Sequence, residues 1–469
     1  MYSMQFFKKF IGDKAFYKML FILVLPLIVQ QGVTSFVSLL DNLMVGRLGT
    51  EQMSSVAIVN QLIFVFNLTI FGGVSGASIF GAQFAGVGDD NGLRHTFRFK
   101  MMLGVAVTAV AIALFILWGE DLTMWFLDNE ANEGLDLAVL AAYAKEYLQV
   151  MLIGLAPFMI VQVYSSTLRE MGDTVVPMIA SVTAITVNLI FNYFLIFGTC
   201  GFPALGVRGA AIATVMSRYV EMLVIVLYTH LRTSKFRFAV GAYRSPYVPA
   251  ELVKKIIITG SPLMINEVLW SLGTTFINQQ YSTKGLFAYA ATNINSTVWN
   301  LFCIIMFAMG TAISIIVGRE LGKGNREEAI DLNRKLLFFT VVIHVLIGAI
   351  LVFAAPYIPL LYKTEDEVRQ IATSLLMISG LTLPMHSLVH GIYFAVRSGG
   401  KTFITFLFDS VYTWLVPAML ALCLCKFTAL GIVPIYLIVQ LSDALKMTIG
   451  LLMLKSGFWA NTVIPTEKA

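Results

Sequence analysis

Twelve stretches of this chain are apolar over lengths that match the hydrocarbon thickness of a bilayer, and this feature constrains the fold more than any other. A helix needs about 20 mostly apolar residues to cross a membrane. Such runs lie at about residues 16–42, 53–80, 97–118, 139–167, 174–198, 206–230, 251–281, 286–318, 335–358, 368–396, 402–425 and 429–454. Those at 251–281 and 286–318 are long enough to tilt or to project beyond the bilayer. Composition agrees. The 469 residues are 58% hydrophobic and 13% charged, whereas soluble domains carry about 25% charged residues. A globule this apolar would present large exposed patches to water. In lipid each span must satisfy its own backbone hydrogen bonds, so the expected class is an all-α polytopic membrane protein.

Lys8, Lys9, Lys14 and Lys18 precede the first run. That run is longer than the core of a cleaved signal, about 7–15 residues, and no small-x-small site ends it, so it is expected to be a retained span. Short loops on the N-terminal side hold most of the 32 basic residues, among them Arg232, Lys235, Arg237, Arg244, Lys254 and Lys255. The loop at 119–138 on the other side carries Glu120, Asp121, Asp128, Glu130, Glu133 and Asp136 and no basic residue. By the positive-inside rule both termini are cytoplasmic, in a bacterial-type plasma membrane. The formal charge of +5 is therefore a matter of topology, and no nucleic-acid partner is implied. Cys200, Cys303, Cys423 and Cys425 form no CxxC pair or disulfide framework and read as packing residues.

The second half restates the first. At an offset of 236 residues Pro26 matches Pro262, Leu27 matches Leu263 and Gly49 matches Gly285. Ile58, Phe66, Phe71, Ser78, Ile79, Gly86 and Gly88 match Ile294, Phe302, Phe307, Ser314, Ile315, Gly322 and Gly324. At an offset of 228, Arg169, Gly172 and Thr174 match Arg397, Gly400 and Thr402. Twelve helices in two pseudo-symmetric six-helix bundles follow: an N-terminal lobe at 1–230, a cytoplasmic linker at 231–255 and a C-terminal lobe at 256–469. Six spans per half is even, so the repeats are parallel, and transporters built this way bind substrate between them.

The segments PLIVQQGVTSFVSLLDNLMVGRLG and GGVSGASIFGAQFAGVGDD resemble the opening of the MATE family, the multidrug and toxic compound extrusion transporters. STLREMGDT and NLIFNYFLIFGTCGFPALGVRGAAIATVMSR look like that family's fourth to sixth spans, and GSPLMINEVLW like its seventh. The resemblance covers nearly the whole chain. It implies a V-shaped pair of six-helix bundles with rocking alternating access. It also implies export of small organic cations in exchange for Na⁺ or H⁺.

Charge inside a span is costly and such residues usually face a cavity or a partner. Asp41 lies late in the first span, near a helix C-terminal end that disfavours a carboxylate; interfacial solvation is the competing reading. Asn188 and Asn192 share one helix face four residues apart, and Thr214 follows in the next span. The resemblance implies a coupling-cation site from these four, with Asn192 standing where an Asp is often found. An amide carbonyl still supplies oxygen to a hard cation; interhelical hydrogen bonding is the structural alternative. Glu267 follows Lys255 by a distance that places it near mid-bilayer, about 18 Å along a helix, where it would take a proton or pair with a cationic substrate.

His386 and His390 share a face after Pro384, and the resembling family often has Asp at the place of His386. They would titrate or satisfy carbonyls freed by the proline. Zinc lacks a third ligand, and no metal or other cofactor is expected. Asp409 lies in the eleventh span with Trp414 about one turn on, and a substrate- or proton-coupling role in a cavity stands beside a structural one. Trp299 and Trp414 are at most candidates for stacking on a cation, and a lipid-facing or packing role is the expected one for the aromatics.

Nothing matches GxxxxGK[ST], HExxH or GxSxG. GRELGKGNREEA repeats GAQFAGVGDDNGLR and reads as a structural turn. An ATP-driven or catalytic chain is disfavoured, and an ion gradient is the expected energy source for a protein acting as a monomer. A lipid-linked saccharide flippase of the same superfamily is the alternative. Its cavity should be basic. Here the span residues Asp41, Glu221, Glu267, Asp409 and Asp443 outnumber Arg218 and Lys446.

Overall fold

A computed structural model describes residues 9–127, 137–199 and 201–465. Among them every regular element is helical: α1 Lys14–Gly46, α2 Thr50–Val87, α3 Asp90–Leu127, α4 Leu137–Ile153, α5 Leu155–Glu170, α6 Val175–Phe197, α7 Gly206–Leu231, α8 Ala250–Ser282, α9 Leu286–Phe302, α10 Ile304–Gly322, α11 Arg326–Ala354, α12 Asp366–Ser398, α13 Thr402–Phe427 and α14 Ile432–Ser456. Eleven helices are long and apolar enough to cross a membrane, and the bent pair α4–α5 makes a twelfth span. Ile116, Leu117, Leu346 and Phe353 stand fully outward, where lipid solvates them.

Three expectations need correction. The fourth stretch is two helices bent by 46° at Gly154, and the eighth is broken at Cys303. The expected loop at 119–138 starts later than its charges suggest, because α3 continues to Leu127. Glu120 and Asp121 belong to α3, while Asp128, Glu130, Glu133 and Asp136 lie outside the described residues, as does Cys200.

The repeat is visible in the turns. Gly88 and Gly324 take φ of 74° and 77°, and Gly172 and Gly400 take 83° and 75°, so equivalent turns use equivalent left-handed glycines. Asp89 Oδ1 accepts from the amides of Asn91 and Gly92 to start α3, and Asp173 Oδ1 accepts from that of Val176 to start α6.

Two units divide the chain. The N-terminal unit holds Leu25–Gly81 and Asp89–Lys255. In it α6 packs along α7, and α5 along α3 and α7. A buried ion pair joins α3 to α5, with Lys100 Nζ 2.5 Å from Glu170 Oε1. The 237–247 segment folds back on α3: Arg98 donates to the carbonyls of Gly241, Ala242 and Tyr247, and Arg94 to those of Arg237 and Phe238. The C-terminal unit holds the N-terminal residues as far as Val24, then Ala82–Gly88, and the chain from Ile256 onward. Its hub is α12, packed against α9, α10, α11 and α14. Gln83 anchors the tip of α2 here, donating to the carbonyls of Ser398 and Asn461 and accepting from the amide of Val463.

Candidate functional site

In the N-terminal unit α6 turns Asn188 and Asn192 toward α1. Asn192 Nδ2 donates to Asp41 Oδ1 at 2.6 Å and faces Asn188 Oδ1 at 3.1 Å. One terminal atom of the Asn188 amide lies 3.0 and 3.1 Å from the two Asp41 oxygens; turned so that this atom is nitrogen, Asn188 donates to both. The other end of that amide is 3.4 Å from Thr214 Oγ1 on α7. Asn188 and Asn192 are buried, and Asn192 Oδ1 has no hydrogen-bond partner among the described residues. All four residues singled out in the sequence therefore meet, with Thr214 at the edge. Among the described residues no cationic side chain pairs with Asp41.

A second polar chain lies deeper in this unit. Arg169 donates to Gln30 at 2.9 Å, Gln30 to Ser181 at 2.6 Å, and Ser181 to Glu221 at 2.5 Å. Arg218 donates to the Gly154 carbonyl at 3.2 Å and lies over the Phe158 ring.

In the C-terminal unit the candidates fall into three settings. Glu267 on α8 is half-buried, and no hydrogen bond or ion pair engages its carboxylate among the described residues. Its charged neighbours are Arg397 and Asp409. The Arg397 guanidinium is buried, rests against Tyr393 and Phe394, and keeps Nε and Nη1 without partners.

Asp409, by contrast, is fully engaged. Lys446 Nζ on α14 is 2.8 Å from Oδ1, and Asn266 Nδ2 donates to Oδ2 at 3.0 Å. The helix widens to π-helical turns at Leu407–Val411 and again at Trp414–Ala418, around Pro417. Such turns often mark functional positions; the first one carries Asp409 and Ser410, whose Oγ donates to Asn266 Oδ1 at 2.7 Å.

His386 pairs through Nδ1 with Asp443 Oδ2 at 3.1 Å and meets Trp299 edge-on. His390 lies between Phe307 and Phe394, above Gly310, where a Cβ would sit 2.9 Å from its Nε2. Both Nε2 atoms are buried without hydrogen-bond partners among the described residues. Trp414 is held in place: its Nε1 donates to the Leu269 carbonyl at 2.9 Å, and its ring packs on Phe276. The residues that sequence reading did not tie to the candidates are Asn266, Tyr393, Arg397 and the partners Lys446 and Asp443. No group of three or more His, Cys, Asp or Glu that would hold a metal occurs among the described residues.

The profile of the MatE family matches residues 26–194 and 262–422, both halves of the repeat. The chain belongs to the MATE family. It is similar to a probable multidrug resistance protein NorM of Thermotoga maritima, 27% identical over 450 residues, 95% of this chain and 94% of that one. It is also similar to the probable multidrug resistance protein YoeA of Bacillus subtilis, 26% identical over 420 residues, 88% of each chain. Among solved structures, a MATE protein in a bent conformation superposes with a TM-score of 0.84 at 20% identity, covering 96% of both chains. A Vibrio cholerae MATE transporter superposes with 0.83 at 18% identity over 94% of this chain and 97% of that one. These matches establish this MATE protein's twelve-helix fold and its place among multi-pass membrane transporters.

Proposed function

We propose that this MATE transporter exports small organic cations in exchange for Na⁺ or H⁺ by alternating access, from the cytoplasmic membrane of a bacterial cell with both termini inside. The observation that carries the reading is Asp41, a carboxylate in a span, clothed by two amides and left without a counter-charge. A charge held within a membrane helix is costly, and function is the usual reason for it.

The Asn188 amide end beside Asp41 serves either ligand state in this reading. With its nitrogen toward Asp41 it stabilises the ion-free carboxylate. With its oxygen toward Asp41 it adds a ligand to Asp41 Oδ1 and Oδ2 for a hard cation, whereas a proton needs only one Asp41 oxygen. Glu267 is the second unpaired carboxylate and would receive the cationic cargo. Exchange follows if ion and cargo favour different states, since a ligand shifts an equilibrium only through differential affinity. The relatives named above as multidrug resistance proteins support a broad cargo range. Lys446 is engaged by Asp409, Arg218 by a backbone carbonyl and an aromatic ring, and Arg397 lies beside the Glu267 carboxylate, so these bases are offset by span carboxylates, which supports cationic over phosphorylated cargo.

The test is efflux of a fluorescent organic cation from proteoliposomes under separately imposed Na⁺ and H⁺ gradients. Asp41→Asn and Glu267→Gln should each lower gradient-driven efflux at least about tenfold, a transition-state or binding change of about 1.4 kcal/mol, with membrane insertion unchanged. Wild-type rates in both variants would refute the reading.

A further inference from the structure

The last helices of the two units match without a gap. Ala204, Leu205 and Gly206 correspond to Ala429, Leu430 and Gly431, and the same offset brings Ser217, Arg218, Glu221 and Met222 onto Ser442, Asp443, Lys446 and Met447. The small and apolar residues are kept while both charges change sign.

Contacts follow the same correspondence. In the N-terminal unit Gln30 donates to Ser181, and Ser181 to Glu221. The repeat places Asn266 at the position of Gln30 and Asp409 at that of Ser181. There Asn266 donates to Asp409, and Lys446, the counterpart of Glu221, does the same from the other side. The second pair agrees. Arg218 lies 5.0 Å over Phe158, and their counterparts Asp443 and His386 form the 3.1 Å ion pair. One polar junction is thus built twice with opposite charge.

The inversion matters because of how Asp409 is held. Its two oxygens are both taken, one by an ammonium at 2.8 Å, a charge-assisted hydrogen bond, and one by an amide. Lys446 is 6% exposed. The rings of Phe408 and Tyr412 lie 5.4 and 5.6 Å from its nitrogen and exclude water from it. The other charged groups facing the pair are Glu267 on α8, His390 and Arg397 on α12, and Asp443 with its partner His386. Among the described residues none of them pairs with either member. Asp41 in the other unit has no such companion.

We propose that Lys446 is a tethered counter-cation that fills, throughout the cycle, the place a diffusible ion would otherwise take at Asp409, and so keeps Asp409 out of the exchange performed at Asp41. Lys446 is a positioning residue in this account, which rests on the transport reading above.

The experiment measures melting temperature of the full-length protein in detergent against Na⁺ at constant ionic strength, and against pH. Asp41→Asn removes the ion response of the N-terminal unit. Adding Lys446→Met strands Asp409 and should restore a melting temperature that rises with Na⁺ or with acidity, beyond the slope of the Asp41→Asn parent. A slope equal to the parent's would overturn the proposal, because a merely structural lysine lowers the melting temperature without making it cation-dependent. If Lys446→Met does not fold, the pair Asp409→Asn and Asp409→Asn/Lys446→Met decides. The doubly neutral protein folding better than Asp409→Asn alone supports the tether, and Asp409→Asn melting like wild type sinks it. If Asp41→Asn leaves efflux intact, the transport reading fails. Lys446→Met against wild type then still reports whether Asp409 has acquired a cation requirement.

Discussion

Gly86 and Gly322 stand at equivalent places of the repeat, and each faces the other's neighbour: a Cβ on Gly86 would lie 2.0 Å from the Arg319 carbonyl oxygen, and one on Gly322 would lie 2.1 Å from that of Gln83. Gln83 and Arg319 are themselves equivalent. The tip of α2 and the end of α10 therefore cross backbone to backbone, and no side chain fits between them. Gly86→Ala or Gly322→Ala should destabilise by at least the 1–3 kcal/mol typical of overpacking, about that much per site, because backbone on the far side cannot swing away. Gly32 is the control. Nothing lies within 4 Å of a Cβ there, and Gly32→Ala within a helix should be neutral or gain about 0.5–1 kcal/mol. Melting in detergent separates the two; equal melting temperatures for Gly86→Ala and Gly32→Ala would dismiss the crossing.

Asn192 touches the proposed ion site most closely, and its replacement by Asp predicts a sign. The amide donates to Asp41 at 2.6 Å. A second carboxylate at that place would repel the first, since like charges this close cannot both ionise without a cation between them. Asn192→Asp should therefore strengthen ion dependence, moving the half-saturating Na⁺ or H⁺ concentration for efflux several-fold lower. Asn192→Ala removes the donor and one oxygen and should move it higher. Unchanged ion saturation in both variants would place the coupling site elsewhere.

The Lys100–Glu170 pair makes a different kind of prediction, about folding. Lys100 Nζ is 0% exposed and reaches Ser166 Oγ and Thr167 Oγ1 at 3.3 Å each in addition to Glu170. Glu170 Oε2 occupies the space a side chain at Gly81 would take; a Cβ there would lie 1.9 Å from it. Removing one partner of a buried pair strands the other at a cost of about 3–5 kcal/mol, whereas removing both is far milder. Lys100→Met should greatly lower the yield of folded protein, and Lys100→Met/Glu170→Gln should recover most of it. Size-exclusion recovery and melting read this directly. Additive losses would show the two groups do not compensate each other.

How much of this was legible in the sequence depends on range. The spans were legible because a lipid-facing helix must be apolar along its whole length. The repeat was legible because Pro26 and Pro262, or Gly88 and Gly324, answer backbone demands that survive divergence. The breaks at Gly154 and Cys303 were not, since the sequence stays apolar through both and hydropathy alone gives no sign of a bend. At the site, the shared face of Asn188 and Asn192 follows from helical spacing, but the approach of Asp41 from α1 depends on tertiary packing. For Asp409 a cavity role stayed open because nothing in its own span announces Lys446 on the next. The packing role expected of most aromatics holds for Trp414, but the Leu269 carbonyl that fixes it is far away in sequence and could not be named. The π-helical turn that carries Asp409 has no sequence signal beyond Pro417 in the turn that follows.

The 237–247 segment is held to α3 by two arginines that donate to its backbone carbonyls and by the buried Phe238 ring and the Tyr243 ring against Phe97, and the polar part of this attachment can be removed without touching the fold of the spans. Arg98 reaches Gly241 and Ala242 at 2.8 Å and Tyr247 at 3.1 Å, and Arg94 reaches Arg237 and Phe238 at 3.1 Å. Tyr243 adds a hydroxyl contact to Tyr164 at 2.5 Å, and Tyr164 a contact to His230 at 2.8 Å. Hydrogen bonds from a charged donor contribute about 1.5–3 kcal/mol each. Losing the three from Arg98 therefore shifts local opening by well over the 1.4 kcal/mol that makes a tenfold change. Arg98→Ala should accelerate tryptic cleavage at Arg237 and Arg244 by at least about tenfold where cleavage follows local opening, while the melting temperature of the membrane spans falls only slightly. Initial cleavage rates on the intact protein, set beside its melting curve, test both halves. Cleavage at the wild-type rate would mean the segment is held by its apolar contacts through Phe236 and Phe238, both fully buried, and not by the arginine clasp.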